Sequence, residues 1–330
     1  MKFILKQLFE HRPLEYDQAK DVMFRMSEGA YNDHELSSFM TVYLMRSITI
    51  EELLGFREAL LSLALPLDIQ QENLLDIVGT GGDGKNTFNI STLACFVAAG
   101  AGLKIAKHGN YGASSISGAS NVMEQLGYHF TNDQAILNKQ VEEVGICFMH
   151  APLFHPALKI VGPIRKNLSI RTFFNLMGPV VNPAAPSAQL LGVSNLEMAR
   201  IYTYLLQKTS QKFTIIHSLD GYDEISLTHD TKIITQNGEQ IKTPESLSGL
   251  KVKADHLAGG NTKEEAAKIF IHILEGNGTE AQEKVVLANA AMGLQCAGSY
   301  SNYEEAFAAA EESLKSKKAF QCLKKLIATQ

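Results

Sequence analysis

The stretch DIVGTGGDGKNTFNIST, residues 76–92, crowds glycines, an aspartate, hydroxyls and an amide into one loop, the composition of an anion cradle. Glycine lets backbone N–H groups approach an anion with no Cβ in the way. Three readings compete. Gly79, Gly81 and Gly84 satisfy the dinucleotide spacing G-x-G-x-x-G, but Lys107 and His108 stand where an acidic residue should accept ribose hydroxyls. Gly79, Gly84 and Lys85 nearly complete a P-loop, but Asn86 replaces the hydroxyl that belongs on magnesium. The third reading uses the whole stretch. Glycines 79, 81 and 82 cradle one anion, and a helix starting around Asn89, Ser91 and Thr92 offers unpaired N–H groups and a partial positive charge to a second. Lys107, arriving on the adjacent strand, adds a full charge. A ligand with a phosphate at one end and a pyrophosphate at the other would engage both features.

A second candidate is DGYDEIS, which follows the apolar run FTIIHSL. Asp223 and Glu224 would then lie at the carboxyl end of a strand, where open α/β sheets bind ligands. Magnesium prefers carboxylate and phosphate oxygens and keeps several waters, so two adjacent carboxylates beside a pyrophosphate suit it.

The surrounding elements must position these groups. Residues 1 to about 65 read as helices, among them TIEELLGFREALLSLAL, opened by Thr49 and Glu52 as a capping box. The character then changes to strands alternating with helices: LLDIVG, STLACFVAAGAGL, LKIAKHGN, SNVMEQLGY, KFTIIHSL and TKIITQNGE. The fold class predicted is α/β: a small helical domain plus a larger α/β domain with a central, mostly parallel sheet flanked by helices. The proline-rich segment up to AAP returns to the helical domain, which gives residues 1–66 and about 164–186 to the small domain. About 72–163 and 187–330 fall to the large one. The chain is helical again from about 262 to 329.

Composition narrows the function classes. With 330 residues, 45% hydrophobic and 20% charged, the chain is long enough for two packed domains. A net charge of −5 argues against a nucleic-acid binder. Cys95, Cys147, Cys296 and Cys322 are scattered with no CxxC, so zinc and disulfide readings lack support. No secretion signal opens the sequence and no run of about 18 apolar residues spans a membrane, so a cytoplasmic protein is expected.

The motifs GTGGDGKNTFNIST, KHGN, SGASNVMEQLG, HPALKIVGPIRKNLSIRTFFNLMGPVVNPA and DGYDEIS occur in order over nearly the whole chain. Together they resemble the anthranilate phosphoribosyltransferase family, within the nucleoside phosphorylase/phosphoribosyltransferase fold family. The resemblance implies a pentosyltransferase of tryptophan biosynthesis. It would move phosphoribose from phosphoribosyl pyrophosphate (PRPP) to the amino group of anthranilate, with Mg2+ as cofactor. It implies that Gly79, Gly82, Asp83, Thr87, Asn89, Ile90, Ser91 and Thr92 bind PRPP, together with Lys107, His108, Gly109, Asn110, Tyr111, Gly112, Ala113, Ser114, Ser115 and Ala119. It also implies that Gly79, Asn110 and Arg165 bind anthranilate, with His108 and His155 bordering its pocket, and that Ser91, Asp223 and Glu224 hold metal. A homodimer built through the helical domain is expected, with FMTVYLM as a candidate surface, and no nucleic-acid or membrane partner. Rival readings are a pyrimidine nucleoside phosphorylase and a non-catalytic nucleic-acid-binding relative. The loop after KHGN departs from the family: Tyr111 replaces an arginine, and Ile116, Ala119 and Asn121 replace a lysine, a serine and an aspartate.

Overall fold

The computed structural model describes residues 1–112 and 116–330. The chain divides into two compact units, residues 1–67 with 151–185, and residues 68–150 with 186–330.

The first unit is helical, with α1 (Lys2–Phe9), α2 (Tyr16–Ser27), α3 (Asp33–Met45) and α4 (Ile50–Ser62) joined by helices Ala151–Phe154, Ala157–Leu168 and Phe174–Met177. The capping box at the start of α4 is present: Glu52 N–H donates to Thr49 Oγ1 (3.2 Å) and Thr49 N–H to Glu52 Oε2 (2.9 Å). Glu52 does more than cap. Its buried carboxylate also pairs with Arg46 and accepts from Leu14 N–H and the Tyr43 hydroxyl, both at 3.0 Å. Burial alone would raise its pKa, but Arg46 and the backbone donors of Leu14 and Thr49 outweigh that and hold it below the usual range. Phe173, from the second segment, packs on Phe56 and Tyr43 with ring centroids 4.9 Å apart in each case. That aromatic cluster joins the two segments into one core. The second segment starts at 151 rather than about 164, because β3 ends at His150 and the chain turns directly into helix.

The second unit holds a seven-stranded sheet: β1 (Leu74–Gly79), β2 (Lys104–Gly109), β3 (Ile146–His150), β4 (Ala188–Gly192), β5 (Lys212–Ser218), β6 (Thr231–Thr235) and β7 (Gly238–Lys242). The strand order is β3-β2-β1-β4-β5-β6-β7, parallel from β3 to β5 and antiparallel at β6 and β7. β1 is the middle one of the five parallel strands, from which the order runs outward both ways, so a crevice is expected outside the carboxyl ends of β1 and β4. Helix α5 (Ile90–Gly100) follows the glycine loop and is buried over almost its whole length, which explains its lack of a polar face. Helix Glu280–Ala297 packs beside it and lays Gly293 on Ile77 and Leu75 of β1. Helix α6 (Ala119–Gln125) follows β2. Among the described residues, no helix is long and apolar enough to cross a membrane.

Candidate active site

The glycine loop leaves β1 at Gly79 and reaches α5 at Ile90. Gly81, Gly82 and Gly84 all have positive φ, between 63° and 72°, which L side chains adopt at a cost. The loop's far half is laced to residues 257–260: Phe88 N–H donates to Leu257 O (3.0 Å), and the Asn86 side chain to Gly260 O (2.8 Å). Asn86, out of place in a P-loop, is thus a tether for the loop. Lys85 lies over the Tyr222 ring at 4.6 Å.

The acidic pair lies against this loop. Gly81 N–H donates to Asp223 Oδ2 (2.7 Å), and Ser91 N–H, in the first turn of α5, donates to Glu224 Oε1 (3.0 Å). Thr87 Oγ1 reaches Glu224 Oε2 at 3.4 Å. The protein's own carboxylates therefore engage amides at both expected anion seats. Both are nearly buried, 8% and 9% exposed, which places them inside the protein rather than in a solvated turn. Burial, then the neighbouring charge of Asp83, pushes Asp223 up to about 7. Burial, then the charge of Asp223, pushes Glu224 well above the usual carboxylate range, despite the Ser91 amide and the Lys107 charge opposing it.

Close approach of the acidic loop requires two glycines. A Cβ on Gly79 would fall onto the Asp223 carboxylate, and a Cβ on Gly192 onto the Asp223 carbonyl. Gly79 and Gly192 are register partners on β1 and β4, so the bare ends of both strands form the floor under Asp223. Gly192 was not singled out from sequence; the glycine ending the apolar run AQLLG was the available signal.

The other expected residues are placed as follows. Asp83 Oδ1 accepts from Lys85 N–H (3.0 Å). Asn89 precedes α5 but makes no side-chain cap; its amide donates to Ser117 O (2.8 Å), tying the helix start to the loop after β2. Ile90 and Thr92 are buried. Lys107 is buried, its ammonium on Ile77 O at 2.6 Å. His108 is buried beside Asp76, whose Oδ1 accepts its N–H (3.3 Å). Gly109 ends β2, Asn110 is exposed, and Ala119 opens α6. Ala113, Ser114 and Ser115 lie outside the described residues.

The departures in this loop have local partners. The Tyr111 hydroxyl donates to Glu124 Oε1 (2.6 Å), and its ring meets His150 edge-on at 4.8 Å. Asn121 Oδ1 accepts from both Gly112 N–H (3.0 Å) and Gly118 N–H (3.1 Å), joining the two sides of the loop.

Two expected residues belong to the helical unit. Arg165, on helix Ala157–Leu168, is partly buried; it stacks 5.5 Å from Phe174 and has one long hydrogen bond to Asn175 Oδ1 (3.4 Å). Among the described residues no carboxylate pairs with it. Burial lowers its pKa. His155 is buried at 1% exposure, where burial lowers its pKa against backbone contacts from Val181 and Leu60. Its environment is that of a core residue.

The sequence matches two family models, the glycosyl transferase family helical bundle domain over residues 2–64 and its a/b domain over residues 71–320. Anthranilate phosphoribosyltransferase of Flavobacterium johnsoniae is 56% identical over 326 residues, covering 99% of this chain and 98% of the relative. The chain belongs to the anthranilate phosphoribosyltransferase family. Solved anthranilate phosphoribosyltransferases share its fold. The Thermus thermophilus structure has a TM-score of 0.93 at 32% identity, over 99% of this chain and 98% of that one. The Saccharomyces cerevisiae structure, in complex with PRPP and Mg, has a TM-score of 0.90 at 29% identity, over 99% and 96%. The dinucleotide and P-loop readings of the glycine loop are thereby set aside.

Proposed function

We propose that this chain transfers phosphoribose from PRPP to the amino group of anthranilate, giving N-(5-phosphoribosyl)anthranilate and pyrophosphate, a step of tryptophan biosynthesis. The observation that carries the reading is the glycine loop, with the buried Asp223–Glu224 pair engaged by its Gly81 amide and by the first turn of α5.

The donor set fits a hard cation. Among the described residues no group of three or more His, Cys, Asp or Glu is arranged to hold a metal. Magnesium takes most of its ligands from water and substrate phosphates, so two carboxylates and a hydroxyl are enough protein. A pair whose pKa values are raised by burial, and then by the neighbouring charges of Asp83 on Asp223 and of Asp223 on Glu224, gains most from a counter-ion. Ser91, Asp223 and Glu224 are assigned to Mg2+, which when bound offsets negative charge on the departing pyrophosphate.

The remaining residues bind and orient. Amides of Gly79, Gly82, Asp83 and Thr87 face one phosphate end of PRPP, and the first turn of α5, from Asn89 to Thr92, faces the other. Lys107 acts through its buried charge. The loop from His108 to Ser115, with Ala119, wraps the same substrate. As the bond from the anomeric carbon to pyrophosphate breaks with oxocarbenium character, preorganised amides stabilise the growing charge on the leaving group. Arg165 offers its guanidinium fork to the anthranilate carboxylate, and Asn110 aligns the aromatic amine for attack. The reaction needs no protein nucleophile.

The test mixes protein, Mg2+, PRPP and anthranilate and follows anthranilate fluorescence. A time-dependent fall that requires all components supports the reading. A steady signal, with phosphate-dependent cleavage of uridine or thymidine instead, would replace it with nucleoside phosphorolysis.

A homodimer through the helical unit is part of the proposal. A cavity of about 450 Å3 lies between α1 and α3, lined by Leu8, Phe9, Val42 and Met45 among others. Phe9 and Met45 of its lining are 62% and 85% exposed, and Phe3 of α1 is 87% exposed, more large apolar surface than a free helix pair needs. FMTVYLM is divided: Phe39, Met40, Val42 and Tyr43 are buried in the monomer, while Leu44 and Met45 are left for a second copy. Met45→Glu should convert a sedimenting dimer to monomer; an unchanged mass would place the interface elsewhere.

A further inference from the structure

The segment ANAAMGL has no role in the reaction as described, yet it holds a polar side chain in the buried middle of its helix. Asn289, on helix Glu280–Ala297, is 2% exposed. An asparagine there costs helix propensity relative to the alanines around it. Its amide is fully employed. Oδ1 accepts from Ile225 N–H (3.0 Å), Nδ2 donates to Ile225 O (2.9 Å), and Nδ2 also donates to Val285 O (2.8 Å) one turn back on its own helix. The bond to Val285 fixes the side chain's direction, and the other two form a closed amide pair with the residue that follows Glu224.

The chemistry demands this side chain. Ile225 lies in the irregular DGYDEIS turn, away from the sheet ladder, with both backbone groups buried. Buried N–H and C=O groups must find partners. A carboxamide is the neutral side chain that donates and accepts side by side, so it stands in for a neighbouring strand. On the other side of the acidic pair, Ser218 Oγ donates to Glu224 O (2.7 Å) and accepts from Ser226 N–H (3.2 Å). The Glu224 backbone is therefore held from α/β elements on both sides, and only its carboxylate is free to exchange the Ser91 amide for a cation.

We propose that Asn289 is a positioning residue that sets the Asp223–Glu224 carboxylates for the metal–pyrophosphate end of the donor. Ser218 is its lesser counterpart. The inference rests on the assignment of that pair to metal. Asn289 touches no substrate, so its removal should loosen the metal site and leave anthranilate recognition alone.

The experiment measures binding of Mn2+, as the magnesium probe, in the presence of PRPP. The loss of the free-ion paramagnetic resonance signal reports binding without turnover. Wild type, Asn289→Ala, Ser218→Ala and Glu224→Gln are compared, with the KM for anthranilate and thermal melting recorded alongside. Asn289→Ala is expected to weaken Mn2+ binding about tenfold, and Ser218→Ala about threefold, with the anthranilate KM within about twofold of wild type. If Asn289→Ala does not fold, the Ser218→Ala result decides. If Glu224→Gln weakens Mn2+ binding while folded Asn289→Ala matches wild type, or the anthranilate KM rises in step with Mn2+ affinity, the positioning role is overturned. If Glu224→Gln also matches wild type, the metal assignment fails first and takes this inference with it.

Discussion

The acidic site of the α/β unit and the arginine site of the helical unit solve opposite electrostatic problems. At the acidic site, two buried carboxylates are engaged by Gly81 and Ser91 amides, and their raised pKa values record too little positive charge. At Arg165, a partly buried guanidinium has a long bond to Asn175 and an aromatic face, no carboxylate pairs with it among the described residues, and burial lowers its pKa. In the proposed reaction, a donor arriving with a divalent cation would offset the first imbalance, and an acceptor bearing a carboxylate would offset the second. Under the proposed assignment each substrate end would supply the charge that its site lacks.

Removing the acidic pair breaks this contrast most severely. Asp223→Asn with Glu224→Gln should lower kcat/KM by about three orders of magnitude at ordinary Mg2+, because leaving-group stabilisation is lost in a dry site. Near wild-type turnover in a stopped fluorescence assay would remove the pair from the site. Arg165→Ala should act at one end only. The anthranilate KM should rise roughly 30- to 150-fold, the range expected for a charged hydrogen bond of about 2–3 kcal/mol, while the PRPP KM stays within a few-fold. Equal changes in both would argue against a carboxylate contact.

The smallest effect sharpens the comparison without substrates. Asp223 titrates at about 7 in the folded protein against 3.8 for an ordinary aspartate, so folding takes up a proton in that window. An acid raised in this way costs the fold stability above its folded pKa and costs none below its unfolded one. The melting temperature of the ligand-free protein should therefore climb by a few degrees as pH falls from about 8 to about 5. The climb should flatten in the double variant. Saturating Mg2+ should flatten it too, by holding both carboxyls ionised. An equal climb with and without the pair would assign the titration to other groups.

Much of this was legible in the chain, for physical reasons that differ by residue. The capping box of Thr49 and Glu52 could be read because its partners are three residues apart. The burial of Glu52 and its bond to Leu14, 38 residues away, could not. The glycine loop announced itself by composition, yet nothing in the spacing told that Gly81 and Ser91 would be engaged by acids more than 130 residues on. ICFMH forms β3, but a short apolar run has no diagnostic period and does not identify itself as a strand. Pro163 masked helix Ala157–Leu168, since an internal proline removes a helical donor and normally ends such a reading. Asn121 looked like a lost charge; the structure gives it a neutral acceptor's task, binding two backbone amides at once.

The strand order has a bearing on how the chain matures. Strand β1 is made early, but its second neighbour, β4, begins at Ala188, after an entire excursion into the other unit. The helical unit likewise waits for Phe173 before Phe56 and Tyr43 are covered. A ribosome halted before about residue 185 would therefore present two unfinished cores together, a sticky intermediate of the kind that nascent-chain chaperones exist to shield.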